Sequence, residues 1–200
     1  MKQERSRRTR ELVLDAAAVE FAAHGYLGAN IQRVAEHTGL TKGAVYGHFG
    51  SKDALAQALV AHLETGVQGL IARVRSGSAP AVGVSSVREI SLVLADLLAS
   101  DVRSGAALRL TVEQSLSRPQ EPPAFVALRA FVEDALRRSG HDDVPRSAAP
   151  LLTDFVLILL VGSYYIAPTG REGVPASVRG LWDAFLAPAP SRLPAWGAEA

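Results

Sequence analysis

Two hundred residues suffice for one or two domains with a buried core. The 21 basic residues are nearly matched by 20 acidic ones, so bulk charge selects no partner. The absence of cysteine excludes disulfides, thiolate metal sites and cysteine nucleophiles. Apolar residues make up 48% of the chain and aromatics only 6%, with Ala, Leu and Val prominent, a composition of helices rather than sheet.

Charge is informative locally. Residues 1–10 carry Lys2, Arg5, Arg7, Arg8 and Arg10 against Glu4 alone, whereas residues 56–200 hold 13 basic and 14 acidic side chains. The charged N-terminus has no apolar signal core. The longest apolar run, Phe155 to Val161 with its continuation to Ala167, falls short of the ~18 residues of a membrane span. A cytoplasmic protein with no membrane association is expected.

Thr9 to His24 carries apolar residues at 12, 13, 16, 17, 21 and 22, a helical stripe that Gly25 ends. Ile31, Val34 and Ala35 then share one face of a short helix, with Asn30 as N-cap and Gly39 as a left-handed exit. Thr41 caps a second short helix whose Val45 and Phe49 face inward, and Ser51 caps the next. Two short helices joined by a Gly-containing turn make a helix-turn-helix. The expected core is Leu12, Ala16, Phe21, Ile31, Val34, Leu40, Val45 and Phe49. The outer face of the second helix is small, basic and aromatic, which suits a DNA major groove: Lys42 can meet phosphate or guanine, and Tyr46 phosphate or a thymine methyl. The basic arm beside it is an electrostatic footprint for phosphate.

Leu55, Leu59, Leu63, Val67, Leu70, Ile71 and Val74 predict one long helix from Ser51 to about Arg75, shared between the DNA-reading unit and the C-terminal part of the chain. SGSAPAVGVSS reads as a linker. Further helices are expected on Val87–Leu98, on Val102–Leu116 with an interruption at Ser104-Gly105, and after Pro119, Pro122 and Pro123 on Phe125–Leu136. His141 to Pro150 reads as a connection, Leu151 to Ala167 as a helix apolar nearly all round, and Val178 to Leu186 as a last amphipathic helix. With no repeat and no strand-like alternation, the expected fold is all-α, about nine helices. It divides into a helix-turn-helix domain at 1–55, a ligand-binding and dimerisation domain at 56–187 and an irregular tail at 188–200.

The last two helices are too apolar for one small bundle, which predicts pairing with a second copy through Phe155, Ile158, Leu159, Leu181, Trp182 and Phe185. The middle helices are expected to enclose a pocket. Its apolar candidates are Leu94, Leu108, Leu128, Phe131 and Leu160. Its polar candidates are Thr111, Gln114, Thr153, Ser163, Tyr164 and Tyr165.

GLTKGAVYGHFGSKDAL, preceded by TRELVLDAAAVEFAAHGY, resembles the recognition region and first helix of the tetracycline-repressor (TetR) family, over about residues 6 to 60. The resemblance implies a dimeric repressor that holds double-stranded palindromic operator DNA and releases it on binding a small-molecule effector. Position by position, it places DNA contacts on Gln32, Arg33, Thr41, Lys42, Gly43, Ala44, Tyr46, His48 and Lys52. VRSGAALRLTVEQ and LVGSYYIAPTGREGVPASVRGLWDAFL are similar to the γ-butyrolactone receptor branch of actinomycetes, whose ligands are lactone, furan or butenolide hormones. Two positions depart from that branch: Leu128 stands where a pocket tryptophan is usual, and Gly47 where an aromatic is usual.

The alternatives are an orphan or pseudo-receptor with a different ligand or none and, more remotely, a small all-α enzyme. Against the enzyme, His24, His37, His48, His62 and His141 show no metal-ligand spacing, and there is no GxSxG elbow, P-loop or dinucleotide fingerprint. No cofactor, metal or catalytic residue is expected.

Overall fold

The computed structural model describes residues 2–77, 82–116, 120–139, 146–167 and 170–187. Among these the structure is all-α: α1 (Lys2–Gly28), α2 (Ile31–Thr38), α3 (Lys42–Phe49), α4 (Lys52–Arg75), α5 (Gly83–Ser100), α6 (Val102–Ser115), α7 (Pro123–Arg138), α8 (Ala149–Ile166) and α9 (Val174–Leu186), with 3-10 turns at Arg146–Ala148 and Gly170–Gly173. The expected tail from 188 and the first half of the 141–150 connection lie outside the described residues.

α1 packs on α2 and α3, and along its length on α6. It differs from the sequence expectation at both ends. It starts at Lys2, so the basic arm is its first turns, with Arg7 paired to Glu4 at 2.8 Å. At Gly25 the backbone turns to φ 66°, ψ −176°, then resumes helical bonding to Gly28. Its buried stripe is also rotated: Val13, Leu14, Ala17, Ala18 and Phe21 are buried, while Leu12 is 49% exposed. Leu40 is only half-buried. α6 packs along α1 in addition to α2 and α3, which widens the apolar face that α1 must bury.

α4 runs from the head into the body and packs on α5, α6 and α7, while α5, α7, α8 and α9 close the remaining layers. α6 is continuous through Ser104-Gly105. Asp101 caps it, accepting from the backbone N–H groups of Arg103 and Ser104, and Gly105 is where α8 crosses: a Cβ there would stand 2.8 Å from the Tyr164 hydroxyl. The linker ends earlier than expected, α5 starting at Gly83 with φ +67°. α8 begins at Ala149 with Pro150 in its first turn, where the missing N–H costs nothing.

At 18 residues and mean hydropathy 1.7, α8 has the length and composition of a membrane span, longer than the sequence run suggested. Its Leu152, Val156, Leu159 and Leu160 are nevertheless buried in the bundle, and Asp154 on its outer side approaches Arg129 at 3.4 Å. The exposed side of α8 and α9 carries Leu151, Ile158, Ile166, Leu181 and Phe185, each 49–79% exposed. Two residues expected on that face lie inside the chain instead. Trp182 is fully buried, edge-on to Phe155, and Leu159 is 6% exposed, because α5 packs against α9 and α8 from within.

Candidate nucleic-acid interface

The turn between α2 and α3 is built by its caps. The Asn30 side chain accepts from Gln32 N–H at 2.9 Å, opening α2. Gly39 closes it at φ 66°, ψ 20°, a left-handed position that other residues adopt only with strain. The Thr41 hydroxyl accepts from Ala44 N–H at 3.1 Å and starts α3. α3 is then pinned by Val45 and Phe49, both buried, with Tyr46 packed partly against the same core. The guanidinium of Arg10 lies 4.3 Å above the Phe49 ring, so the basic first helix is fastened to the end of α3, a contact with no signal in the sequence pattern.

The rest of α3 faces out. Lys42 and Gly43 are exposed, Ala44, Tyr46 and His48 half-buried, and Lys42 Nζ lies 6.0 Å from the Tyr46 ring centre. Nothing stands within 4 Å of a Cβ built at Gly47, and at Gly43 only the Thr41 hydroxyl, at 3.9 Å. This side of α3 is a shallow face of peptide backbone, flanked by one lysine and one tyrosine, that another backbone can approach closely.

Three of the expected DNA contacts are committed within the head. Arg33 donates to both oxygens of the buried Glu20 carboxylate, from Nε at 2.9 and 3.1 Å, and to the Gly28 carbonyl at 3.1 Å. Burial pushes the Glu20 carboxyl up. Hydrogen bonds from Arg33 and the Asn30 N–H, with the charges of Arg33 and His24, outweigh this and hold it below its ordinary value. Lys52 turns inward: its Nζ donates to the Ala29 carbonyl at 2.6 Å and lies 5.1 Å from the Tyr26 ring. Gln32 is exposed but donates to Glu36 at 3.2 Å.

Behind the head, α4, α5, α6, α7 and α8 line a partly open cavity of about 40 Å³ with apolar side chains only. Of the expected pocket residues, Leu94, Leu108, Leu128 and Leu160 line it. Sequence reasoning missed Leu63 and Val67, read as plain core of α4, and Leu98, Ala124, Phe125, Leu157 and Val161. The other candidates lie off its wall. Phe131 packs under Arg75, and Thr153 donates to the Ala149 carbonyl at 2.9 Å. Thr111 and Ser163 are buried with no hydrogen-bond partner among the described residues. Gln114 and Tyr164 are half-buried, and Tyr165 is 48% exposed. Burial pushes the Tyr164 hydroxyl up.

A capped helix pair, a backbone-lined outer face and a basic helix fastened beside it define a helix-turn-helix DNA-binding regulator. Known proteins carry the same stretch. The family model described as bacterial regulatory proteins, tetR family, matches residues 13–59. The HTH-type transcriptional repressor Rv1474c of Mycobacterium tuberculosis is 30% identical over 162 residues, covering 74% of this chain and 78% of its own. The chain belongs to the tetR family. The HTH-type transcriptional repressor AcnR of Corynebacterium efficiens is 45% identical over 51 residues, a match spanning only about a quarter of its length, 27%. Among solved structures, CprB from Streptomyces coelicolor in complex with its operator sequence has a TM-score of 0.71 at 25% identity, covering 90% of this chain and 87% of that one. A γ-butyrolactone receptor (ArpA-like protein) has a TM-score of 0.66 at 26% identity, covering 88% and 98%.

Proposed function

We propose that this chain is a homodimeric repressor that holds a palindromic operator through the exposed face of α3 and is released when a small apolar effector of the γ-butyrolactone kind enters the cavity behind Leu108 and Leu128. The observation carrying the reading is the Gly43–Gly47 face, which has no side chain to hold the double helix away. Lys42 and Gly43 approach bases; Tyr46 and His48 hold phosphate. The structure of CprB with its operator, the γ-butyrolactone receptor structure and the relatives described as repressors support this assignment. Domain limits of 1–55 and 56–187 and a cytoplasmic location belong to the same reading. Dimerisation uses the exposed side of α8 and α9, where Ser163, Ala176, Ser177 and Gly180 leave a groove beside Ile166 and Leu181.

A second reading, an orphan regulator with no such ligand, is favoured by the cavity itself. At about 40 Å³ it admits water-sized molecules, whereas small-molecule sites run to roughly 300–1,000 Å³. Effector entry therefore requires the wall helices to move apart. The discriminating experiment is a gel-shift titration against DNA flanking the chain's own gene, repeated with lactone, furan and butenolide extracts. Binding abolished by an extract supports release by hormone. Binding that no extract disturbs supports the orphan reading, and no binding at low salt contradicts both.

A further inference from the structure

Where the break at Gly25 interrupts the hydrogen bonding of α1, an ion pair from α6 takes over two of the freed backbone groups. In an unbroken helix the Tyr26 N–H would donate to the Ala22 carbonyl, four residues back. The turn at Gly25 separates them. The Ala22 carbonyl accepts instead from Arg109 Nη1 at 2.8 Å, and the Tyr26 N–H donates to Glu113 Oε2 at 2.7 Å. Arg109 Nε donates to Glu113 Oε1 at 2.9 Å, closing the path from carbonyl to amide through two side chains one helical turn apart on α6. Both severed ends of α1 are thus capped from outside the head, each by a charge of the sign that its helix end favours. The seat is made for the carboxylate: a Cβ at Gly25 would overlap Glu113 Oε1.

The break sits where the head is assembled. Immediately after it, the Leu27, Gly28 and Ala29 carbonyls accept from Lys52, Arg33 and Lys52 respectively, and the Asn30 N–H donates to Glu20 at 2.8 Å. Residues 25–30 therefore hold α1, α2 and the start of α4 together. Arg103, further up α6, adds bonds to Asp15 at 2.7 Å and Glu11 at 2.6 Å, so α6 grips α1 at two separated places. Leu108, beside Arg109 in sequence, lines the apolar cavity.

We propose that Arg109 and Glu113 are positioning residues for DNA binding: spliced into the break in α1, they set the tilt of the α2–α3 head on the body. This rests on reading α1–α3 as the DNA-reading unit. A loosened joint lets each head of a dimer swivel, so the protein stops distinguishing operators that differ in half-site spacing. A general loss of stability would instead weaken binding to all of them alike.

The test uses the full chain, an operator selected from random-sequence duplexes and a second duplex with one base pair inserted at its dyad. Amide hydrogen exchange is read without DNA. In Glu113→Ala, exchange at the Tyr26 amide is expected to speed at least tenfold while the Val45 amide keeps its protection, and the affinity ratio between the two duplexes falls toward one. Glu113→Gln keeps an oxygen for the Tyr26 amide and restores most of both. Wild-type protection at Tyr26 in Glu113→Ala, or equal loss of affinity for both duplexes, overturns the proposal. If Glu113→Ala does not fold, Arg109→Gln is judged by the same two measurements. Failure of the wild type to bind any selected duplex counts against the DNA-reading assignment, while the exchange data still decide whether the joint exists.

Discussion

Arg33 and Glu20 form a two-toothed ion pair across the α1–α2 corner, with Glu20 95% removed from solvent and Arg33 Nε 2.9 and 3.1 Å from its two oxygens. Arg33 therefore holds the head together before it meets any phosphate. Arg33→Ala leaves a buried carboxylate with the Asn30 N–H as its remaining close donor and is expected to lower the urea midpoint. Lys42→Ala, on an exposed side chain, is expected to change stability little and to weaken DNA binding. Urea unfolding of both variants checks the contrast.

The carboxyls of Glu20 and Asp101 both lie below their ordinary values of 4.5 and 3.8. For Asp101, burial pushes up, while hydrogen bonds from Ser104, His62 and the Arg103 N–H, and the charge of His62, pull further down. A carboxyl with a lower value when folded stabilises the fold above its unfolded value, and that contribution disappears as pH falls through the folded one. The urea midpoint is expected to hold down to about pH 5 and then to drop steadily. In Glu20→Gln the drop is expected to be shallower, since one of the two groups no longer titrates.

Leu128 is 2% exposed and lines the small cavity. Leu128→Ala is expected to cost about 3 kcal/mol and to enlarge the void. Benzene, used as a probe, should then raise the melting temperature of the variant and leave the wild type unchanged. A benzene shift of equal size in both proteins would mean that the wild-type cavity already opens freely.

Ile158 and Leu181 are 71% and 49% exposed on neighbouring helices, whereas Trp182 is fully buried. Ile158→Glu and Leu181→Arg are expected to yield folded monomers with weakened operator binding, the monomers detected by sedimentation. Trp182→Ala is expected to cost about 4 kcal/mol of stability, the price of an emptied core position.

The sequence makes the helix pair legible because its signals are local. Asn30, Thr41 and Ser51 each stand just before an apolar-periodic segment, and each accepts a backbone N–H two or three residues on. What it hides is distant in the chain or depends on rotation. Nothing near Lys52 indicates that its ammonium caps Ala29, 23 residues earlier, or near Glu113 that it seats under Gly25. Ser104-Gly105 reads as a helix break, yet it is the point where Tyr164 needs room. Leu159 and Trp182 belong to helices apolar on several sides, so periodicity cannot say which side meets α5 and which meets solvent. Polar side chains are the natural candidates for a pocket in sequence, whereas the cavity wall is apolar throughout.

Gly47 sits mid-helix with nothing near its missing side chain. Gly47→Ala should therefore stabilise the fold by up to about 1 kcal/mol, through helix propensity alone. Thermal unfolding measures this, and a loss of stability would show that the glycine serves the fold.

DNA is expected to meet the backbone face of α3. The check is an anisotropy titration of one selected operator duplex with the wild type and with Gly43→Leu, whose Cβ would meet only the Thr41 hydroxyl, at 3.9 Å. The added side chain is expected to lower operator affinity at least tenfold without lowering the melting temperature. Equal affinity of the two proteins would contradict it and place the DNA contact elsewhere on the molecule.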